Sequence, residues 1–242
     1  MAPHGLARRC IVFLLLLICL DRPGRAQKRK APQGGKLAVV VDDRFAALRS
    51  SPQLRGNLVR RLGRGRLVAI RARHISKDGI VFLLVNLSSR THGWIQKEAL
   101  VSSSQRGDDA RILKMIEFSA SDFETISLAR IFLDNFPRSA LRPRILLLMG
   151  DTAEKAAREL TKSATKRLSN QFNEASEESV YLNYSGLDRY NRQGVKFVFD
   201  RRNRDLHYDG WAWREIVRAH KKSPAVEVAR NRLEELATRF KQ

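Results

Sequence analysis

Leu67-Val68-Ala69-Ile70, then Lys77-Asp78-Gly79, then Ile80-Val81-Phe82-Leu83-Leu84-Val85, then Thr91-His92-Gly93-Trp94-Ile95 follow one another closely in a chain of 242 residues. Short β-branched runs separated by an Asp-Gly pair predict two strands joined by a tight hairpin. Upstream, Val39-Val40-Val41 opens another strand. Leu48-Arg49-Ser50-Ser51-Pro52 reads as an extended segment ended by its proline, and Leu58 to Leu62 leads into the turn Gly63-Arg64-Gly65. Five short strands between residues 37 and 103 predict a small closed barrel, because closure removes exposed edges. The stretch holds no paired carboxylates, nucleophile with a base, or metal-ligand cluster. That composition points to a binding module rather than an enzyme.

The order and spacing of these residues resemble the bacterial SH3-like domain. The resemblance rests on Leu48, Arg49, Ser50 and Pro52; on Leu58, Leu62 and Gly65; on Val68 and Ile70; on Phe82 and Val85; and on Gly93, Trp94, Ile95 and Leu100. It implies recognition of a cell-wall glycan, a peptide or a protein in the bacterial envelope.

The chain begins like a secretory signal. Arg8 and Arg9 precede the apolar run Cys10 to Leu20, and Gly24-Arg25-Ala26 offers small residues at a cleavage site before Gln27. The run is shorter than the roughly 20 residues a spanning helix needs. Leu16-Leu17-Ile18-Cys19 loosely resembles a lipobox, but Ile18 is bulky for its place. Removal of residues 1–26 takes away Cys10 and Cys19, the chain's two cysteines, and with them any thiol nucleophile, disulfide or thiolate metal site. Residues 27–36, with Lys28-Arg29-Lys30 and Gly34-Gly35, read as a basic linker.

After Ser102-Ser103-Ser104-Gln105-Arg106-Gly107 the periodicity changes from strand to helix, so residues 104–242 form an expected helical second module. Helices are expected after Asp108-Asp109, after a Ser121 cap, over Arg142 to Met149, and from Asp151 to about Ser179. The last carries Ala153, Ala156, Ala157, Leu160, Ala164, Leu168 and Phe172 on one stripe. A weak repeat relates residues 130–139 to 214–223, each a helix, a turn with a serine, and another helix. This resembles tetratricopeptide-like helical hairpins and implies a protein-binding layer. Residues 181–210 form an aromatic insert in which Val195 to Phe199 alternates like a strand.

Formal net charge is +21, and +18 once Arg8, Arg9, Arg22, Arg25 and Asp21 are gone. The density peaks between residues 37 and 103, where Arg60, Arg61, Arg64 and Arg66 are the expected contacts for an anionic ligand. A solvated arginine-rich surface would show the same composition. Arg49, Phe82 and Trp94 are the candidate ligand contacts, although Trp94 fits a core position equally well. His207, Asp209, Trp211 and Trp213 could line a groove, but packing by Trp213 and helix capping by Asp209 is the simpler reading.

The sequence therefore predicts an α+β protein of two modules: a small SH3-like β-barrel, then an α-helical hairpin domain. It predicts an exported, periplasmic or secreted binding protein with no cofactor, no metal and no catalytic residue. Its expected partners are a cell-wall or anionic envelope polymer and an envelope protein, with nucleic acid disfavoured by export. The alternative is a targeting or regulatory subunit for a separate cell-wall hydrolase.

Overall fold

Leu37-Ala38-Val39-Val40-Val41 is apolar without alternation, the pattern of a strand covered on both faces. A computed structural model of the chain, describing residues 32–170, 177–182 and 185–241, shows why. Strand β1 (Lys36–Val40) directs Ala38 and Val40 into a core enclosed by the sheet. Val39, and Val41 just beyond the strand, enter a second core built mainly by helices. The expected signal segment 1–26, with Cys10 and Cys19, lies outside the described residues, as does linker segment 27–31.

Six strands follow: β2 (Ala47–Arg49), β3 (Leu58–Arg61), β4 (Leu67–Ile75), β5 (Val81–Asn86), β6 (His92–Gln96) and β7 (Leu100–Val101). They form one antiparallel sheet of order β3-β2-β6-β5-β4-β1-β7. Its inner core takes Leu48 and Leu62 from one end and Leu100 from the other, so the sheet curls around its own side chains. The sheet is open, which corrects the expectation of full closure. Both free edges are protected in other ways. At one end, β7 is two residues long, fully covered, and held by the Arg111 guanidinium on the Leu100 carbonyl. At the other, β3 carries Arg60 and Arg61.

Gly93 occupies the position in β6 where β2 crosses most closely. A Cβ there would stand 2.7 Å from the Arg49 carbonyl oxygen and 2.9 Å from Leu48 Cγ. The Gly-Trp-Ile sequence thus brings two strands together with Trp94 directly opposite Arg49.

Helices α1 (Asp108–Glu117) and α2 (Asp122–Asn135) start as expected, with the Ser121 hydroxyl accepting from the Glu124 amide. The third and fourth expected helices are one, α3 (Arg142–Asn170). Gly150 continues the helix, and its missing side chain makes room for the Trp213 indole, whose nitrogen a Cβ at that position would strike. Ala153, Ala156, Ala157, Leu160 and Ala164 are buried along α3; Phe172 lies outside the described residues.

The aromatic insert is more ordered than its composition suggested. It contains α4 (Glu177–Leu182), α5 (Ser185–Asn191) and a hairpin of β8 (Phe197–Asp200) with β9 (Asp205–Tyr208), turned by residues 201–204. Helices α6 (Trp211–Ala219) and α7 (Ala225–Lys241) complete the chain. Gly210, at φ 78°, is the N-cap of α6, and the Asp209 carboxylate just before it accepts from the Trp211 amide at 3.0 Å.

The internal repeat is real at the level of turn geometry. In the α2–α3 turn Phe136 N–H donates to Phe132 O, Ser139 N–H to Phe136 O, and Leu141 N–H to the Ser139 hydroxyl. In the α6–α7 turn His220, Ser223 and Ala225 make the same three bonds to Ile216, His220 and Ser223. Each pair is related by the offset read from the sequence.

The helices and the sheet share an interior. Val39, Val41 and Val101 pack in the same cluster as Ile112, Phe132 and Leu146, and residues 31–242 make up one compact unit. Among the described residues no helix is long and apolar enough to cross a membrane.

Candidate functional site

Residues 44–66 contain seven arginines and no acidic residue. This segment forms the β2–β3 hairpin at the sheet's edge, closed near its tip by Ser50 N–H on Asn57 O. The tip and β3 are exposed, including their apolar members: Leu54 at 46%, Leu58 at 52% and Val59 at 49%. Arg55 adjoins Leu54, while Arg60 and Arg61 follow Val59, so cations and apolar side chains alternate over one projecting surface. Sequence reasoning missed the apolar half of this pattern, although Leu54-Arg55 and Leu58-Val59-Arg60-Arg61 spell it out.

The four arginines expected to meet an anion divide. Arg60 and Arg61 are exposed and form no ion pair among the described residues. Arg66 is half-buried. Arg64 is engaged internally, which corrects its assignment as a ligand contact. Its Nε donates to the Val41 carbonyl at 3.0 Å and its Nη2 meets Glu124 Oε1 at 2.6 Å, tying the hairpin's base to α2. Arg44 is exposed but paired with Asp42 at 2.7 Å, which holds the Asp42 carboxyl below its ordinary range.

Of the three candidate ligand contacts, Arg49 and Trp94 share one face of the sheet and are half-buried. Arg49 donates to the Gly56 carbonyl at 2.9 Å, bracing the hairpin tip. The Trp94 ring meets His74 edge-on with centroids 5.9 Å apart. Phe82, registered against His74 and Gln96, is fully buried. It therefore offers no exposed surface to a ligand.

The most elaborate polar cluster lies elsewhere, between α3, β9 and α7. His207, 2% exposed, turns Nδ1 to Glu154 Oε1 at 3.2 Å, and its Nε2 lies 3.0 Å from Asp205 Oδ1. Glu154 also accepts from the Tyr208 amide at 2.9 Å and from Arg239 at 3.0 Å. The bond to Glu154 raises the His207 pKa; burial opposes this and Asp205 adds to it. Burial alone would raise Glu154, but the His207 bond, the Tyr208 amide and Arg239 outweigh it and lower it. Asp200, Asp205 and His207 place ligand atoms within 4.8 Å of one another. The Asp200 oxygens are already taken by the Arg202 amide at 2.9 Å and the Asn203 side-chain amide at 2.8 Å. A buried imidazole bonded to one carboxylate and close to a second has the makings of a structural bolt, and sequence reasoning did not find Glu154 because it lies 53 residues from its partner.

Comparison with protein-family models, with curated proteins and with solved structures found no match to this chain.

Proposed function

We propose that this chain is an exported, non-catalytic binding protein of the bacterial envelope. In this reading the curled, open sheet acts as an SH3-like module that holds an anionic wall polymer through Arg55, Arg60 and Arg61. Leu54, Leu58 and Val59 supply apolar contact, and Trp94 beside Arg49 offers a flat face to a sugar or peptide. The helical part, with its repeated helix–turn–helix units, supplies the surface for an envelope protein. The mechanism is equilibrium recognition. Diffuse positive potential raises the local concentration of the polymer, and the apolar and aromatic contacts hold it against salt.

One observation carries this reading: an acid-free arginine segment projects at a sheet edge, and its exposed Arg55, Arg60 and Arg61 form no ion pair among the described residues.

The test is retention of the full chain on purified cell wall at low and at high salt. Retention that survives high salt, and that falls in Arg60→Glu/Arg61→Glu and in Trp94→Ala, is the expected result. Retention that disappears in salt, or is indifferent to these substitutions, overturns the proposal.

A further inference from the structure

The sheet offers a second surface, remote in sequence from the hairpin. Its inner face continues past the enclosed core at one end, where β4 runs to Ile75. Ile70, Leu83 and Leu100, all packed on that core, floor a cavity of about 470 Å³ there. That falls within the range of roughly 300–1,000 Å³ typical of small-molecule sites. Lys36, Arg73 and Lys97 stand around its lip, and the connector Ser102 to Gln105 closes one side.

The charge balance of this cavity is one-sided. Asp108 is its one acidic lining residue, and it is occupied: Oδ2 accepts from the Ser102 amide at 2.8 Å and Oδ1 lies 3.4 Å from Arg111 Nε. Lys36, Arg73 and Lys97 form no ion pair among the described residues. The cleft between α3 and α7 is a contrast. It is smaller, about 160 Å³, and its cations are matched by acids, Arg232 with Asp151 and Arg239 with Glu154. Three unmatched cations beside an apolar floor fit a ligand with a strongly anionic head and an apolar stem. A carboxylate brings one charge; a phosphate monoester brings between one and a half and two, roughly, at neutral pH. Hydroxyl groups of Ser102 and Ser104, 2.9 Å apart, lie on the same side.

We propose that this open end of the sheet binds a phosphate monoester carried on an alkyl stem, with Lys36, Arg73 and Lys97 around the phosphate and the stem on Ile70, Leu83 and Leu100. The site is independent of the hairpin surface and of the wall-binding reading.

Calorimetric titration of the full chain with octyl phosphate, below its micelle concentration, is the test. Saturable binding of one molecule is expected. Octanoate, inorganic phosphate and octanol each lack part of the ligand, and each is expected to bind about tenfold more weakly or worse. Arg73→Ala and Lys97→Ala, both at exposed positions, are each expected to weaken octyl phosphate by about tenfold. Arg60→Glu/Arg61→Glu is expected to bind octyl phosphate as the parent does while losing the cell wall, so the two proposals fail separately. The absence of saturable binding overturns the site. So does equal affinity for octanoate or inorganic phosphate, a comparison that needs no variant. Indifference to Arg73→Ala and Lys97→Ala overturns it as well.

Discussion

The two halves of this chain use arginine in opposite ways. In the helical half, guanidinium groups meet acids: Arg130 with Asp134, Arg144 with Glu117, Arg218 with Glu215, Arg232 with Asp151, and Arg239 with Glu154. In the sheet, Arg55, Arg60, Arg61 and Arg73 have no acid partner among the described residues. Residue type alone therefore says little about what a cation does; the local supply of carboxylates decides. Where acids are present, charge is absorbed into the fold. Where they are missing, the field stays outside for a partner. Substitutions that remove a charge should accordingly damage stability in one half and binding in the other.

The largest stability loss is expected from Glu154→Ala. That change takes their shared acceptor from the buried His207 imidazole and the Tyr208 amide, and from the exposed Arg239 guanidinium. Removing one partner of a buried ionic network costs about 3–5 kcal/mol. Urea denaturation measures it, and a loss below about 1 kcal/mol would show the network to be a surface-like pairing. Next comes Gly150→Ala. Alanine is the better helix former by about 1 kcal/mol, yet its Cβ collides with the Trp213 indole. A net loss of about 1–3 kcal/mol is expected from the overpacking. A gain in stability would mean that α6 moves aside at little cost.

The same bolt gives the helical half a pH signature on both sides of mild acidity. His207 has a raised pKa, so its contribution is complete below the ordinary imidazole value and disappears as pH rises through the raised one. Glu154 has a lowered pKa, so its contribution is complete above the ordinary carboxylate value and disappears as pH falls through the lowered one. The bolt is whole between the two ordinary values, in mildly acidic solution. Denaturation midpoints are expected to fall from about pH 5.5 to about pH 8.5, and His207→Gln to flatten that fall. An unchanged slope in the variant would move the cause to another group.

How much of this was legible in the sequence depended on distance along the chain. The Asp-Gly hairpin, the Ser121 cap, the start of α6 near Trp211 and the repeated turn were all readable, because local bonds over a few residues determine them. The break assigned at Gly150 was not, since the reason for that glycine is Trp213, which arrives from α6. The internal bonds of Arg64 and the burial of Phe82 were not legible for the same reason. An arginine beside a turn looks free until Glu124 is brought to it, and a strand's alternation does not say which side is covered. Arg60 and Arg61, exposed as expected, sit on an edge strand with few neighbours to change their role. Sequence reasoning thus located the edge of the candidate surface and missed the internal ties that support it.

Arg64, like Arg44 with Asp42, runs against the contrast and sharpens it, an arginine of the sheet half used as the helical half uses its own. Arg64→Met keeps the stem and removes the bonds to Val41 and Glu124. A loss of about 1–2 kcal/mol is expected, with wall retention preserved. Reversed results, unchanged stability with lost retention, would return Arg64 to the ligand surface.

Arg60→Ala/Arg61→Ala is expected to change stability least, within about 0.5 kcal/mol, because both side chains are exposed and neither forms an ion pair among the described residues. The substitution nonetheless bears most directly on the comparison. It leaves Leu58 and Val59 exposed at 52% and 49% on a free sheet edge without the charges that keep other strands away. Two readouts separate the possible uses of those charges. If the arginines serve only to keep the edge solitary, the variant self-associates in sedimentation while its wall retention at low salt is unchanged. If they hold an anionic partner, retention falls by about tenfold, and restoring Lys at both positions recovers most of it, since a diffuse polyanion reads charge more than guanidinium shape.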